Sequence, residues 1–221
     1  MAIDASLLAS VPEKSAVFRH YGWTEPTITF GYTQRINEIR TIVPNNISLC
    51  RRITGGGIVD HRYDWTYALA LHPNLSAAQN PAIELYAAIH KCIQQALATQ
   101  SITTHLAPCP RSCKETREEP PAGPGQCFLQ PAANDVIHPE GRKIAGAAMK
   151  RTRTGLLVQG SVDRSTLPAD FDFQRFSHAF RENLSSTFGL NLSENHTGLL
   201  DETLIQQERQ RFESESWRNR R

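Results

Sequence analysis

Features that mark several protein classes are missing from this chain of 221 residues. No run of about 18 apolar residues could span a bilayer, and the first residues hold neither a basic segment nor a long apolar one of the kind that directs export. The net charge of +2 is small and is spread along the chain, apart from a short basic tail. These absences predict a cytoplasmic protein that acts neither on membranes nor on nucleic acid.

Cysteine is also scarce, and its spacing is irregular. The five cysteines form no even framework, so we expect reduced thiols and not disulfides. Cys109 and Cys113 are close in sequence, but no second Cys or His pair stands at a matching distance. The sequence therefore predicts no metal site, and at least one thiol remains a candidate for chemistry.

The residues that are present fit one α+β domain. Hydrophobic residues make up 39% of the chain and charged residues 21%, as in ordinary globular proteins. We expect a single catalytic domain over 1–221, with no accessory C-terminal domain and with a long irregular loop at 107–126, where five prolines stand. Alternation predicts strands at 15–21, 26–32, 47–49, 58–59, 65–72, 134–138, 143–149 and 155–162, and helical spacing predicts helices at 1–10, 34–40, 80–100, beyond 168 and at 200–218.

The most informative stretch is Arg51-Arg52-Ile53-Thr54-Gly55-Gly56-Gly57-Ile58-Val59-Asp60-His61. Three glycines in a row weaken any helix or strand, and they suit backbone that takes positive φ or approaches a ligand closely. Their amides can converge on an anion or a carbonyl, and the two arginines supply positive charge. A surface turn with two solvated arginines is the alternative. The short strands predicted on both sides favour a binding loop.

A second candidate is Lys143, in the stretch Gly141-Arg142-Lys143-Ile144-Ala145-Gly146-Ala147-Ala148. Small residues around it leave room for its amine to donate to a carbonyl or phosphate. A solvated strand lysine is the alternative, since most lysines are exposed.

Taken together, these motifs resemble the lipoate-protein ligase A and octanoyltransferase family. The resemblance rests on the stretch at 51–61, on Gly-Arg-Lys-Ile-Ala-Gly at 141–146 and on Gln-Gly-Ser-Val at 159–162, and it extends over nearly the whole chain. It implies the catalytic fold of biotin and lipoate ligases, a central mixed β-sheet flanked by helices. It also implies a catalytic Lys143 and an acyl site whose substrate-binding residues are Arg51, Arg52, Thr54, Gly55, Gly56, Gly57, His61, Gly146, Ala147, Gln159 and Gly160.

Cys127 is the second catalytic residue that the resemblance implies. It stands in Gln126-Cys127-Phe128, similar to the branch of the family in which a cysteine carries the acyl group as a thioester. Nearby cations would lower the pKa of such a thiol, which is what a nucleophile needs. The alternative is a packed, unreactive thiol. His61 likewise matches a family histidine, and a purely packed histidine is its alternative.

The resemblance implies protein lipoylation by a lipoate-protein ligase-like enzyme, for which the ligase route is our first hypothesis and a transferase route the alternative. In the ligase route, ATP with Mg²⁺ and free lipoate give a lipoyl-adenylate, from which a lipoyl or octanoyl group passes to a lysine of a lipoyl carrier domain. In the transferase route Cys127 takes the group from an acyl carrier protein or another lipoyl domain, and no cofactor is needed. The expected carriers are the lipoyl domains of 2-oxoacid dehydrogenases or the glycine cleavage H protein.

One departure supports a third alternative. Many relatives have a histidine in the segment that is Leu157-Val158-Gln159-Gly160-Ser161 here, and this chain has none. A non-catalytic acyl-binding homologue is therefore a further hypothesis. A biotin ligase is disfavoured by the Arg-Arg-Ile-Thr-Gly-Gly-Gly arrangement, and a dinucleotide fold by the contiguous glycines, which lack the Gly-x-Gly-x-x-Gly spacing.

Overall fold

A computed structural model describes residues 1–108, 131–194 and 198–220. Within these ranges the helices are α1 (Ala2–Ser10), α2 (Ile36–Arg40), α3 (Ser76–Gln79), α4 (Ala82–Ala98), α5 (Phe173–Phe188), α6 (Glu202–Glu213) and α7 (Glu215–Arg218). The strands are β1 (Ala16–Tyr21), β2 (Thr27–Phe30), β3 (Ser48–Arg51), β4 (Val59–Asp60), β5 (Asp64–Leu71), β6 (His105–Leu106), β7 (Val136–Ile137), β8 (Lys143–Arg151) and β9 (Leu156–Asp163). No helix in the described part of the chain is both long and apolar enough to cross a membrane.

The strands form two sheets. The large sheet has the order β1-β5-β9-β8-β7-β6, and all its neighbouring strands are antiparallel. The small sheet has the order β3-β2-β4, in which β2 and β3 are parallel. The predicted α+β class with helices around a sheet is confirmed, and the parallel pairing lies in the small sheet, not in the central one.

Helices cover both faces of the large sheet. Strand β5 shows why, because Trp65, Tyr67 and Leu69 belong to the core formed with α4 and α5, while Ala68 and Ala70 belong to the core formed with α1. Successive side chains of a strand point to opposite faces, so an unbroken apolar run predicts burial on both. A third apolar cluster lies between the small sheet and α2.

Most predicted elements are confirmed, and two differ in detail. The strands predicted at 15–21 and 26–32 are present, but β1 pairs with β5 while β2 pairs with β3 and β4, so they belong to different sheets. The predicted helix at 200–218 is two helices, because the backbone of Ser214 is extended and its side chain accepts from the amide of Trp217 to begin α7. Of the irregular loop predicted at 107–126, residues from 109 onward lie outside the described ranges.

Candidate active site

A pocket with an empty volume of about 450 Å³ lies between the large sheet and the glycine-rich loop, residues 52–58. Strands β8 and β9 supply one side of it, and the loop, β2 and β4 supply the other. Eight of the residues predicted from the sequence line it, namely Arg52, Gly56, His61, Lys143, Gly146, Ala147, Gln159 and Gly160.

Lys143 and Gly146 line one side of the pocket, and Asp135 and Tyr86 support the lysine from behind; we call these four residues the lysine wall. Lys143 is 4% exposed, and its Nζ lies 2.8 Å from Oδ2 of the fully buried Asp135. The Tyr86 hydroxyl donates to Oδ1 of the same carboxylate at 2.5 Å. Burial, reinforced by this carboxylate, raises the pKa of Tyr86, so the phenol stays protonated and remains a donor. Asp135 thereby holds the amine of Lys143 at the edge of the pocket.

Gly146 explains how the lysine reaches this position. A Cβ at residue 146 would lie 2.5 Å from both Cε and Nζ of Lys143 and 3.0 Å from Oδ1 of Asp135. The lysine side chain therefore lies across the place where any other residue would carry its side chain. Gly160, on the neighbouring strand, has a comparable role, because a Cβ there would lie 2.2 Å from the ring of Tyr67.

The opposite side, which we call the arginine wall, consists of Arg52, Thr29, His61 and Gly56. Nη1 of Arg52 donates to the Thr29 hydroxyl at 2.7 Å, and Nη2 donates to the carbonyl oxygens of Gly55 and Gly57 at 2.9 and 2.8 Å. Gly56 has a φ of 86°, in the left-handed region that glycine favours. Arg52 therefore holds the loop from inside by its carbonyls.

His61 is fixed on both ring nitrogens. Its Nδ1 lies 2.6 Å from Oδ2 of Asp64, and its Nε2 lies 2.7 Å from the Thr29 hydroxyl. The Trp23 ring stacks on the imidazole at a centroid distance of 4.3 Å. The buried Asp64 also accepts from the Ser161 hydroxyl. Histidine and arginine therefore share one hydrogen-bonded chain through Thr29.

Gln159 occupies the segment in which the family histidine was expected. Its Nε2 donates to Oδ2 of Asp4 at 2.7 Å, and its Oε1 accepts from the Thr54 hydroxyl at 2.9 Å. The fully buried Asp4 also accepts from Arg19 and from the Tyr21 hydroxyl. The amide therefore connects the glycine-rich loop to β9 and α1, and both its polar ends are engaged by protein groups.

Arg51 is placed elsewhere. It is 1% exposed, does not line the pocket, and directs its guanidinium to main-chain carbonyls. Thr54 lies behind Gln159, and Gly55 and Gly57 offer carbonyls to Arg52, so these three residues support the pocket without lining it. Cys127, together with Cys109 and Cys113, lies outside the described residues.

Several site residues were missed by the sequence reasoning, namely Asp4, Thr29, Asp64, Tyr86 and Asp135. Asp135 could have been recognised from the sequence, because it lies directly before β7, whose antiparallel partner β8 begins at Lys143. The two ends of a hairpin lie close together, so an aspartate there could have been paired with the lysine. Tyr86 comes from α4, and no local pattern brings it to this site.

Within 1–108, 131–194 and 198–220, no three His, Cys, Asp or Glu residues are grouped so that they could hold a metal ion. The charged groups of the pocket are instead paired with each other or with backbone.

Comparison with known proteins identifies the family. The profile described as lipoyl protein ligase A/B catalytic domain matches residues 1–191. The octanoyltransferase LipM of Bacillus subtilis is 32% identical over 170 residues, which is 73% of this chain and 59% of that protein. The enzyme of the same name from Staphylococcus epidermidis is also 32% identical over 170 residues, or 73% of this chain and 60% of its own length. This chain thus spans about three fifths of the length of these relatives.

Solved structures show the same fold. Lipoate-protein ligase A bound with ATP superposes with a TM-score of 0.74 at 18% identity, covering 98% of this chain and 91% of that one. The bipartite lipoate protein ligase of Thermoplasma acidophilum gives a TM-score of 0.70 at 17% identity, covering 98% of this chain and 89% of that one. With the family profile matching most of its length, the chain belongs to the lipoyl protein ligase A/B catalytic domain family.

Proposed function

We propose that this protein transfers an octanoyl or lipoyl group to the ε-amine of a lysine on a lipoyl carrier domain. The acyl group would come as a thioester, from an acyl carrier protein or from another lipoyl domain. The observation that carries the proposal is the lysine wall, in which a buried carboxylate holds Lys143 at the edge of the pocket. The acceptors would be lipoyl domains of 2-oxoacid dehydrogenases or the glycine cleavage H protein.

The chemistry follows from the charge of Lys143. When a nucleophile attacks a thioester carbonyl, negative charge builds up on the carbonyl oxygen, and a cation already in place stabilises it. Asp135 and Tyr86 orient the amine, so little reorganisation is needed during the reaction. The glycine-rich loop, held by Arg52, would cover the acyl chain on the other side.

We propose Cys127 as the acyl acceptor. In the first half-reaction its thiolate attacks the donor carbonyl, a new carbon–sulfur bond forms, and the donor thiolate leaves and takes a proton. In the second, the neutral amine of the carrier lysine attacks this thioester, an amide forms, and the proton lost from nitrogen restores the Cys127 thiol. The naming of the curated relatives as octanoyltransferases supports this route over the adenylate route.

ATP with Mg²⁺ is required only in the ligase route. The family resemblance implied that both arginines contact an activated acyl group. In the structure, however, all five N–H donors of the Arg51 guanidinium are hydrogen-bonded to main-chain carbonyl oxygens. That arrangement gives Arg51 no means of holding a phosphate without releasing the backbone. It favours the transferase route, in which the one required cation is Lys143.

The two routes are separated by their donors. Purified protein is incubated with an apo lipoyl domain and either octanoyl acyl carrier protein without ATP, or lipoate with ATP and Mg²⁺, and the modified domain is measured by mass spectrometry. We expect transfer in the first mixture, with an octanoylated enzyme as intermediate. Transfer only in the second mixture would establish the ligase route, and binding of octanoate without any transfer would establish a non-catalytic homologue.

Cys127→Ala tests the thioester directly. It should abolish octanoyl transfer and the acylated enzyme, while Cys50→Ala, which removes a thiol from β3, should retain both. Full transfer by Cys127→Ala would rule out the thioester intermediate.

A further inference from the structure

The C-terminal segment 214–220, which contains α7, lies beyond the part of the chain that matches the family profile. It is nevertheless joined to the start of the glycine-rich loop by Arg51. Nε of Arg51 donates to the carbonyl of Trp217 at 3.1 Å, and Nη2 donates to the carbonyls of Arg218 and Arg220 at 2.9 and 2.8 Å. Nη1 donates to the carbonyls of Tyr32 and Gln34 at 2.7 and 2.6 Å.

The contact is reciprocal. The indole Nε1 of Trp217 donates to the carbonyl of Arg51 at 3.2 Å, and the ring is only 5% exposed. It packs against Tyr32 and Phe212, and the guanidinium of Arg211 lies 4.1 Å from its centre. The segment is therefore docked by an apolar anchor as well as by main-chain oxygens.

Undocking would be costly for the guanidinium. Hydrogen bonds from charged donors are stronger than those between neutral groups, and a buried charge needs its partners. Removing the segment takes away three of the five acceptors of Arg51. Arg51 would keep only its bonds to the carbonyls of Tyr32 and Gln34, and any shift of its backbone would be passed on to Arg52, the next residue in the chain.

The groups that Arg51 holds are those that fix the loop. The amide of Tyr32 donates to the carbonyl of Thr54, and the amide of Arg52 donates to the carbonyl of Phe30. A Cβ at Gly31 would lie 2.0 Å from the carbonyl oxygen of Gly56, so the loop packs directly on this backbone. A shift of residues 30–34 would therefore shift the wall of the pocket.

We infer that segment 214–220 sets the position of the glycine-rich loop and that Arg51 is the positioning residue that couples them. Its effect on acyl transfer rests on the proposed function, whereas the coupling itself does not. The family resemblance implied that Arg51 contacts the acyl group. Its hydrogen bonds instead connect the C-terminal segment to the backbone that supports the loop.

Hydrogen exchange tests the coupling without any acyl donor. Two variants are compared with the parent, a chain that stops at Glu213 and Arg51→Lys, whose single amine cannot reach five carbonyls. We expect the amides of a peptide covering 52–60 to exchange at least about tenfold faster, since charged hydrogen bonds that hold the loop are lost. A peptide covering 82–98, in α4, should keep its exchange rate.

Two controls isolate the backbone contact. Arg220→Ala keeps the carbonyl of residue 220 and removes only the guanidinium that lies over the Tyr32 ring, so its loop should exchange as in the parent. Ile93→Val, a substitution on the buried face of α4, lowers the melting temperature without touching the loop. Unchanged exchange at 52–60 in Arg51→Lys, or an equal rise at 82–98, would overturn the inference.

A kinetic measurement tests the part of the inference that depends on the proposed function. With octanoyl acyl carrier protein as donor, Arg51→Lys should lower kcat/KM, and Ile93→Val at an equal loss of melting temperature should not. Faster loop exchange with unchanged kcat/KM would contradict the role in catalysis and leave the assignment of octanoyl transfer intact.

Discussion

The two walls of the pocket both present a buried cation, but they neutralise it differently. Lys143 faces a carboxylate, Asp135, whereas Arg52 faces two carbonyls and a hydroxyl. A lysine amine is a compact charge that one carboxylate can orient, and a guanidinium is a planar fork that can hold several backbone groups at once. The comparison separates a wall suited to chemistry from a wall suited to holding a loop.

Removing the lysine should have the largest effect. We expect Lys143→Ala to lower kcat/KM for octanoyl transfer by about 10²–10³-fold, the usual loss when a preorganised charge stabiliser is removed. The variant should also lose about 3–5 kcal/mol of unfolding free energy, because Asp135 is left as a buried charge without its partner. Initial rates and urea unfolding measure the two effects.

A double variant separates stability from catalysis. Lys143→Met combined with Asp135→Asn removes both charges, so most of the lost stability should return while transfer stays as low as in Lys143→Ala. If the double variant regained activity, the cation would not be part of the chemistry, and the contrast between the two walls would fail.

The different positions of Arg51 and Arg52 show what sequence reasoning could and could not reach. The motif predicted a binding loop, and it lines the pocket. The motif alone could not assign the two arginines separately. Neighbouring residues at the end of a strand point to opposite faces, so Arg52 turns to the pocket while Arg51 turns to the C-terminal segment. That segment is distant in sequence, so no local pattern predicts its contact with Arg51.

A pH-sensitive group, His90 of α4, lies behind the lysine wall. Its ring is fully buried, with Nδ1 at 2.7 Å from the carbonyl of Asn134, and its Nε2 has no partner among the described residues. Burial lowers the pKa of His90 from 6.5 to about 4. Because the unfolded chain takes up the proton first, stability is full above pH 6.5 and falls as the pH drops through this window to about 4.

The expected loss over that window is about 3 kcal/mol, from the difference between the two pKa values. Urea unfolding between pH 7 and pH 4 measures it, and His90→Asn should flatten the curve. His178→Asn is the matched control, since that side chain is 69% exposed. An unchanged slope in His90→Asn would contradict the assignment of this pH dependence to His90.

The helices and strands were predictable because their sequence signals are local. The glycines of β8 and β9 show a requirement that local signals do not fully explain. The small residues near Lys143 were noted, and Gly146 lies on the same strand as that lysine, but the need for glycine at 160 depends on the ring of Tyr67, which comes from β5. Tyr67 is directly opposite Gly160 in the register of β5 and β9. Such a requirement belongs to the pairing of strands and not to either strand alone.

These two glycines give two predictions. Gly160→Ala should cost up to about 3 kcal/mol of unfolding free energy, because its Cβ meets the ring of the fully buried Tyr67. Gly146→Ala places its Cβ against Cε and Nζ of Lys143 and Oδ1 of Asp135, so it should displace the lysine from its carboxylate and lower both transfer and stability. Denaturant midpoints and initial rates for both variants measure these effects, and full transfer by Gly146→Ala would contradict the second prediction.

The smallest expected effect lies in the arginine wall. Thr29→Val keeps the shape of the side chain and removes the hydroxyl that joins Nη1 of Arg52 to Nε2 of His61. Arg52 keeps its bonds to the loop carbonyls, so we expect a loss of about 2 kcal/mol, the net contribution of the two hydrogen bonds removed. Thr29→Ser, which retains the hydroxyl, is the control. If Thr29→Val instead reduced transfer as strongly as Lys143→Ala, the histidine and arginine chain would take part in the chemistry, and the arginine wall would do more than hold the loop.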